Sequence, residues 1–236
     1  DGILPTDTAG VVRYDGVLVE EAAHGQRLRW RTRAGGGPPP VDVAVALPQP
    51  GAHNAANAAA ALTAAVLAGA DRDGAVAAMA DFPGTGRRFE TLGIGPHGVT
   101  IVDDYAHHPT EVAATLRAAR GRHAGRLVAV FQPHLYSRTR LLAGAFGRAL
   151  ALADVVAVLD VYPARERAED FPGTTGLTIA EATVDAVPGR RVLWLPTVQT
   201  AIERLPGVLR RGDLCVCMGA GDVDAVGRGL VTPTTD

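Results

Sequence analysis

The stretch "DDYAHHPTE" (residues 103–111) sets two carboxylates, a phenol and two imidazoles in front of a proline. The chain has seven histidines and only 5% aromatic residues, so few stretches hold as many groups able to bind or move a proton. Pro109 suits the first position of a helix, where its missing N–H costs nothing. Glu111 would complement the positive end of that helix, and free N–H groups there could hold a carboxylate or phosphate. Asp103 and Asp104 point to opposite faces at a strand end, so one can meet a ligand while the other caps structure. His107 and His108 are adjacent and cannot share a metal as an i,i+4 pair does; no metal site is expected. Capping and turn formation remain the alternative for each of these residues taken singly.

Other stretches carry comparable chemistry. In "FQPHLYSRTR" (131–140), His134 and Tyr136 precede Ser137, a natural helix N-cap. Arg138 and Arg140 are two apart and do not share a helix face; one can serve a site while the other is solvated. A guanidinium suits a carboxylate or phosphate through paired hydrogen bonds. "GAHNAANA" (51–58) places His53, Asn54 and Asn57 at a helix start. Asn54 could cap that helix, whereas Asn57 carries an amide that could read the edge of adenine; spacing leaves that open. "GAGDVDAVG" (219–227) opens like a dinucleotide fingerprint, but Asp224 stands where its third glycine belongs. No further strand or acidic ribose partner follows, so a tight glycine turn is expected.

The elements that must position these residues fall into two parts. Up to about residue 50, "AGVVRYDGVLVEE", "QRLRWRTRA" and "VDVAVALPQPG" alternate apolar and polar residues, as half-buried antiparallel strands do; Gly16 and "AGGGPPP" mark turns. Helices follow in "HNAANAAAALTAAVLAGA", closed by Gly69, and in "RDGAVAAMADF". "PGTGRRFE" (83–90) reads as a linker. Beyond it, short β-branched runs such as "GVTIVDDY", "RLVAVFQP", "DVVAVLDVYP", "RRVLWLP" and "DLCVCMGAG" alternate with amphipathic helices. This pattern predicts an α/β fold, a mostly parallel sheet with helices on both faces. Ligands of such sheets bind beyond the carboxyl ends of the strands, where "DDYAHHPTE", "FQPHLYSRTR" and "DVYPARE" all fall.

Composition narrows the function. At 236 residues and net charge −2, with 47% hydrophobic and 20% charged residues, the chain has no basic excess for nucleic acid. It shows no apolar run near the roughly 20 residues of a membrane span and no secretory signal, which makes the cytoplasm the expected location. Cys215 and Cys217 lie on one side of a strand and read as reduced core residues. The sequence contains no lysine, so a phosphate-loop lysine or a Schiff base is excluded for these residues.

In their order, "HNAAN", "GTGRRFE", "DDYAHHPTE", "FQPHLYSRTR", "DVYPARE" and "MGAGDV" resemble the Mur ligases of peptidoglycan synthesis, and within them the alanine-adding branch; a murein tripeptide ligase is the near relative. The resemblance implies that residues 1–86 are the end of a central ATP-binding domain and residues 87–236 a C-terminal Rossmann-like ligase domain. It implies ATP and Mg2+, with UDP-N-acetylmuramic acid and L-alanine as the joined substrates through an acyl phosphate. His53 and Asn57 would then attend the adenine, Arg88 the ribose or phosphates, and Asp104 the ribose hydroxyls. Tyr105, His107, His134 and Arg138 would orient L-alanine, with His107 also taking a proton from its ammonium. Leu135 departs from a basic residue found in many relatives and leaves the substrate carboxylate to Arg138. The family's phosphate loop, metal ligands and carbamylated lysine would lie upstream. The chain therefore reads as a fragment or half of a split protein, inactive without its missing domains. The rival readings are a non-catalytic nucleotide- or partner-binding module and, on Gly219 and Gly221 alone, an NAD-dependent oxidoreductase.

Overall fold

The structure is a computed structural model that describes residues 12–14, 18–22, 25–34, 41–48, 52–82 and 85–231. The turns expected at Gly16 and over 35–40 lie outside these residues, as does the "PG" of the linker. The chain divides into two compact units, Asp1–Gly84 and Thr85–Asp236.

In the first unit, β3 (Gly25–Ala34) is the central strand, paired antiparallel with β1 (Val12–Tyr14), β2 (Leu18–Ala22) and β4 (Val41–Leu47). Alternation puts Leu28, Trp30, Val45 and Leu47 on one face, against Ala55, Ala59 and Leu62 of helix α1 (Ala52–Leu67). The alanines let helix and sheet approach closely, and the buried Trp30 indole N–H is satisfied by Thr63 Oγ1 at 3.0 Å. Asn54 is the third residue of α1 rather than its cap. Helix α2 (Arg72–Asp81) is capped by Asp71, which accepts the Gly74 N–H at 2.8 Å.

The second unit is a six-stranded sheet in the order β5-β6-β10-β7-β8-β9. Its strands are β5 (Glu90–Ile94), β6 (Thr100–Asp104), β7 (Leu127–Phe131), β8 (Val155–Val158), β9 (Arg191–Trp194) and β10 (Leu214–Met218). Only the β5–β6 pairing is antiparallel. Helices α3 (Pro109–Arg122), α4 (Tyr136–Leu150) and α5 (Gly176–Ala186) pack on the face carrying Val102, Ala129, Phe131 and Val216. Helices α6 (Val198–Arg204) and α7 (Asp224–Leu230) pack on the other, with Ile101, Val130, Cys215 and Cys217. Burial on both faces explains why β7, β8 and β10 read as unbroken apolar runs, and the mostly parallel α/β sheet expected of this part is present. The step from β6 to β7 leaves a gap that β10 fills from the opposite direction. That reversal opens a crevice at the carboxyl ends of β6, β10 and β7.

Helix α4 lies so close to α5 that a Cβ on Gly147 would stand 2.2 Å from the Ala182 carbonyl oxygen. Gly147→Ala should therefore overpack this contact and cost about 1–3 kcal/mol, read as a lower urea midpoint at unchanged m-value.

Candidate active site

The crevice is walled by the turns that follow β6, β7, β8 and β10. After β6, His108 is extended and caps α3: its Nδ1 accepts the Thr110 N–H at 3.3 Å. Pro109 takes the first helical position. The Glu111 carboxylate accepts the N–H groups of His107 and His108 at 3.0 and 3.1 Å, closing a capping box. Burial pushes the Glu111 carboxyl up, but these N–H bonds and the charges of His107 and Arg88 outweigh it and hold the group below its ordinary value. The N–H groups offered by sequence to an anion are thus largely used by the turn itself.

Asp104 is buried, and both its oxygens are engaged. Oδ2 accepts the Phe89 N–H at 2.8 Å; Oδ1 accepts the Ala106 N–H at 2.8 Å and the Thr115 hydroxyl at 3.3 Å. The carboxylate is 3% exposed and fastens the linker to the turn. Asp103, on the opposite face, is met by Arg87, a residue that sequence reading passed over. The Arg87 guanidinium donates from Nε to Asp103 Oδ2 at 2.9 Å, from Nη1 to the Gly221 carbonyl at 2.9 Å and from Nη2 to the Gly219 carbonyl at 2.7 Å. It also lies 5.1 Å from the Tyr105 ring centroid. Its backbone is left-handed (φ +63°), as is that of Phe89 (φ +50°), a conformation that ordinary residues keep only when held there.

Arg88 lies 5.5 Å from the Tyr105 ring centroid, and among the described residues no hydrogen bond occupies its guanidinium. The Tyr105 and His107 rings are 5.3 Å apart, and those of His107 and His134 5.9 Å apart. His134 stacks on Tyr162 at 5.8 Å with an interplanar angle of 13°. The structure therefore brings Tyr105, His107 and His134 together. Arg138 joins them, its Nη1 donating to the His107 carbonyl at 3.3 Å. His107 Nδ1 is 2.9 Å from the Tyr105 carbonyl and 3.6 Å from the Glu111 carboxylate, which makes Nδ1 a proton-bearing nitrogen, with Nε2 outside any hydrogen bond among the described residues. His134 Nδ1 is buried and has no partner among the described residues. Burial, then the charges of Arg138, His107 and Arg165, push the His134 imidazole below its ordinary value, which favours the neutral ring.

The turn after β7 differs in part from its sequence reading. Ser137 is not the N-cap: α4 begins at Tyr136 behind Leu135, and the Ser137 N–H (2.9 Å) and hydroxyl both donate to Glu166. Burial works against the Glu166 carboxylate, but these bonds and Arg165 hold its pKa below the ordinary value. Leu135 is buried at φ +70° and donates its N–H to the Tyr162 carbonyl at 2.9 Å; it packs and does not reach for a ligand. Arg140 is exposed and lies over Phe171 at 5.2 Å, so Arg138 is the arginine of the pair that faces the crevice. Tyr162 and Gln132 were not singled out from sequence, although "DVYPARE" and "FQPH" contain them. Gln132 Nε2 donates to Asp222 at 2.6 Å, and its buried Oε1 has no partner among the described residues. Gly221 is required by close approach, since a Cβ there would lie 2.4 Å from Gln132 Oε1 and 2.5 Å from Tyr162 Cγ. That accounts for the "GAG" turn without a dinucleotide.

Asn57 is exposed on α1 in the first unit, and the His53 side chain lies outside the described residues. Among the described residues no three His, Cys, Asp or Glu side chains are grouped to hold a metal ion. No described helix is long and apolar enough to cross a membrane.

Residues 87–221 match the family described as Mur ligase, glutamate ligase domain. The UDP-N-acetylmuramate–L-alanine ligase of Kineococcus radiotolerans is 54% identical over 179 residues, 75% of this chain and 37% of that protein. The protein of the same name from Saccharopolyspora erythraea is 46% identical over 228 residues, 94% of this chain and 46% of that protein. The chain thus spans less than half the length of these relatives. Among solved structures, a murein peptide ligase from Psychrobacter arcticus shares the fold at TM-score 0.67 and 24% identity, over 93% of this chain and 43% of that one. A folylpolyglutamate synthase of Mycobacterium tuberculosis complexed with ADP does so at TM-score 0.58 and 18% identity, over 93% and 46%.

Two outcomes follow from this geometry. Asp104→Ala abandons three donors, two of them buried, and should cost about 2–4 kcal/mol of stability, measured by urea unfolding. The His134 ring should titrate below the ordinary histidine value in an NMR pH series, and Arg138→Gln should raise it by removing a nearby positive charge. Because the folded-state value is the lower one, the contribution of His134 to stability is present above the ordinary histidine pKa. It is lost as pH falls from there toward the folded-state value.

Proposed function

The chain belongs to the Mur ligase family, and from that premise we propose that it serves the ATP-dependent joining of L-alanine to UDP-N-acetylmuramic acid, a cytoplasmic step of peptidoglycan precursor synthesis. The observation that carries this reading is the meeting of His107, His134 and Arg138 beside Tyr105 at the crevice, in a chain whose relatives bear that activity in their names. An amino acid needs a cation for its carboxylate and an acceptor for its ammonium, held one carbon apart. Arg138 supplies the first. His107 Nε2 supplies the second and is placed to take the ammonium proton. The neutral His134 and the Tyr105 ring orient the small substrate between them, which lowers the barrier by positioning.

ATP supplies the phosphoryl group that activates the muramoyl carboxylate. Arg88, whose guanidinium is not hydrogen-bonded among the described residues, is suited to its phosphates. Residues 1–86 serve as the end of the ATP-binding domain, with Asn57 reading the adenine edge near His53, and residues 87–236 as the ligase domain. Asp104, at the carboxyl end of β6, would meet the ribose hydroxyls. Magnesium finds no fitting ligand set among the described residues; the family resemblance puts its ligands upstream. The ADP-bound folylpolyglutamate synthase supports nucleotide use by this fold.

The test is a chimera in which this chain replaces the matching portion of the Kineococcus radiotolerans relative. Phosphate release should require both UDP-N-acetylmuramic acid and L-alanine. A chimera that folds and binds ATP but uses only a peptide in place of L-alanine would move the chain to the murein peptide ligases. Arg138→Ala in the active chimera should weaken kcat/KM for L-alanine by about 2–4 kcal/mol, the loss of a charged, paired contact, while KM for ATP holds. Equal losses for both substrates would remove Arg138 from the amino-acid site.

A further inference from the structure

The opposite end of the second unit's sheet carries a cluster that ligation does not use. Arg126, Asp154, Arg190 and Arg191 stand at or just before the first residues of β7, β8 and β9. With Arg210 they line a cleft of about 380 Å³ whose wall includes Val187 and Pro188. A five-residue strand separates this cleft from the crevice, about 15 Å at some 3.3 Å per residue.

The charges there do not cancel. Arg126 is held by Asp213, with Nε donating to Oδ1 at 2.9 Å and Nη2 to Oδ2 at 2.7 Å. Asp154 is divided between Arg120 and Arg190, the latter at 3.6 Å. Arg190 Nη2 also donates to the Ala151 carbonyl at 3.3 Å, but its Nε is buried and has no partner among the described residues. The guanidiniums of Arg191 and Arg210 have no hydrogen-bond or ion-pair partner among the described residues. Four guanidiniums thus line one cleft, Asp213 holds one of them, and Asp154 is the single carboxylate in the lining. The buried Arg190 Nε is the costly group, and beside two uncommitted guanidiniums it matches an anion with several acceptor oxygens.

We propose that this cleft binds a compact polyphosphate, either free or as the tail of a nucleotide. The planar forks of Arg191 and Arg210 would take terminal phosphate oxygens, and Arg190 Nε a bridging or inner oxygen. The site is separate from the amino-acid site and does not depend on the reading given to it.

The test is calorimetric titration of the chain with sodium tripolyphosphate and, separately, with ATP at physiological salt. Arg191→Gln and Arg210→Gln break no contact described in the protein, so the double variant should melt at the parent temperature. Each substitution should weaken tripolyphosphate binding about tenfold, whereas the Arg191→Lys/Arg210→Lys pair should retain most of it. In 15N NMR the amides of Gly189, Arg190 and Arg191 should shift on titration. Equal affinity for the two ligands points to free polyphosphate, and tighter ATP binding at the same amides points to a nucleotide. The proposal is overturned if no saturable binding occurs, if the double glutamine variant binds like the parent, or if sulfate binds as tightly. It is also overturned if shifts are confined to Gly219 and Gly221 at the crevice.

Discussion

A single guanidinium holds the crevice of the second unit in shape. Arg87 reaches from the linker to Asp103 at the end of β6 and to two carbonyls in the turn after β10, while its own carbonyl receives the Tyr105 N–H at 2.7 Å. Burial pushes the Asp103 carboxyl above its ordinary value even though Arg87 works the other way, so the pair holds only while the guanidinium stays in place. Everything on the β6 side of the site hangs from this arrangement. Tyr105 lies within reach of the Arg87 and Arg88 guanidiniums, His107 is oriented by the Tyr105 carbonyl, and Arg138 reaches the site through the His107 carbonyl. The left-handed backbone at Arg87 and Phe89 follows from serving Asp103 and Asp104, on opposite sheet faces, from adjacent turns of chain.

Local chemistry was legible in the sequence where a residue's task is set by its neighbours. Pro109 and Glu111 take the helix-start positions that their types dictate, and the split between Arg138 and Arg140 follows from helical geometry. The unbroken apolar runs of β7, β8 and β10 announce burial on both faces, and thereby the sheet. Tasks set by distant partners were not legible. Ser137 has the right chemistry for an N-cap, but Glu166, 29 residues away, takes its hydrogen bonds. The hold of Asp104 on Phe89 and Thr115 joins residues 15 and 11 positions away, which its own neighbours do not announce. Arg87 and Arg88 are indistinguishable in "GTGRRFE"; only the placement of Gly219 and Gly221, over 130 residues on, separates the structural arginine from the available one.

The same contrast explains which polar groups remain open at the crevice. Turn-building engages Asp104, Glu111, Glu166 and most N–H groups at the start of α3. Among the described residues, the groups there without a hydrogen-bond partner include the buried Asp103 Oδ1, His134 Nδ1 and Gln132 Oε1, together with His107 Nε2 and the Arg88 guanidinium. A rim that first satisfies its own backbone and then leaves a few aimed side chains is preorganised for a small substrate and needs little rearrangement to receive it.

The place of β10 has a consequence for how the second unit comes to be. Among the described strands β10 comes latest in sequence yet lies between β6 and β7, so the middle of the sheet is completed by a segment synthesised after both of its neighbours. Until residues 214–221 have left the ribosome, β6 and β7 lack their shared neighbour, and the Arg87 guanidinium lacks both carbonyls that receive it. Pairings such as Asp103 with Cys217 close loops of more than a hundred residues, the kind of non-local contact that slows folding. Helices α3, α4 and α5 can gather early on one side. The crevice therefore depends on β10 having paired with both β6 and β7.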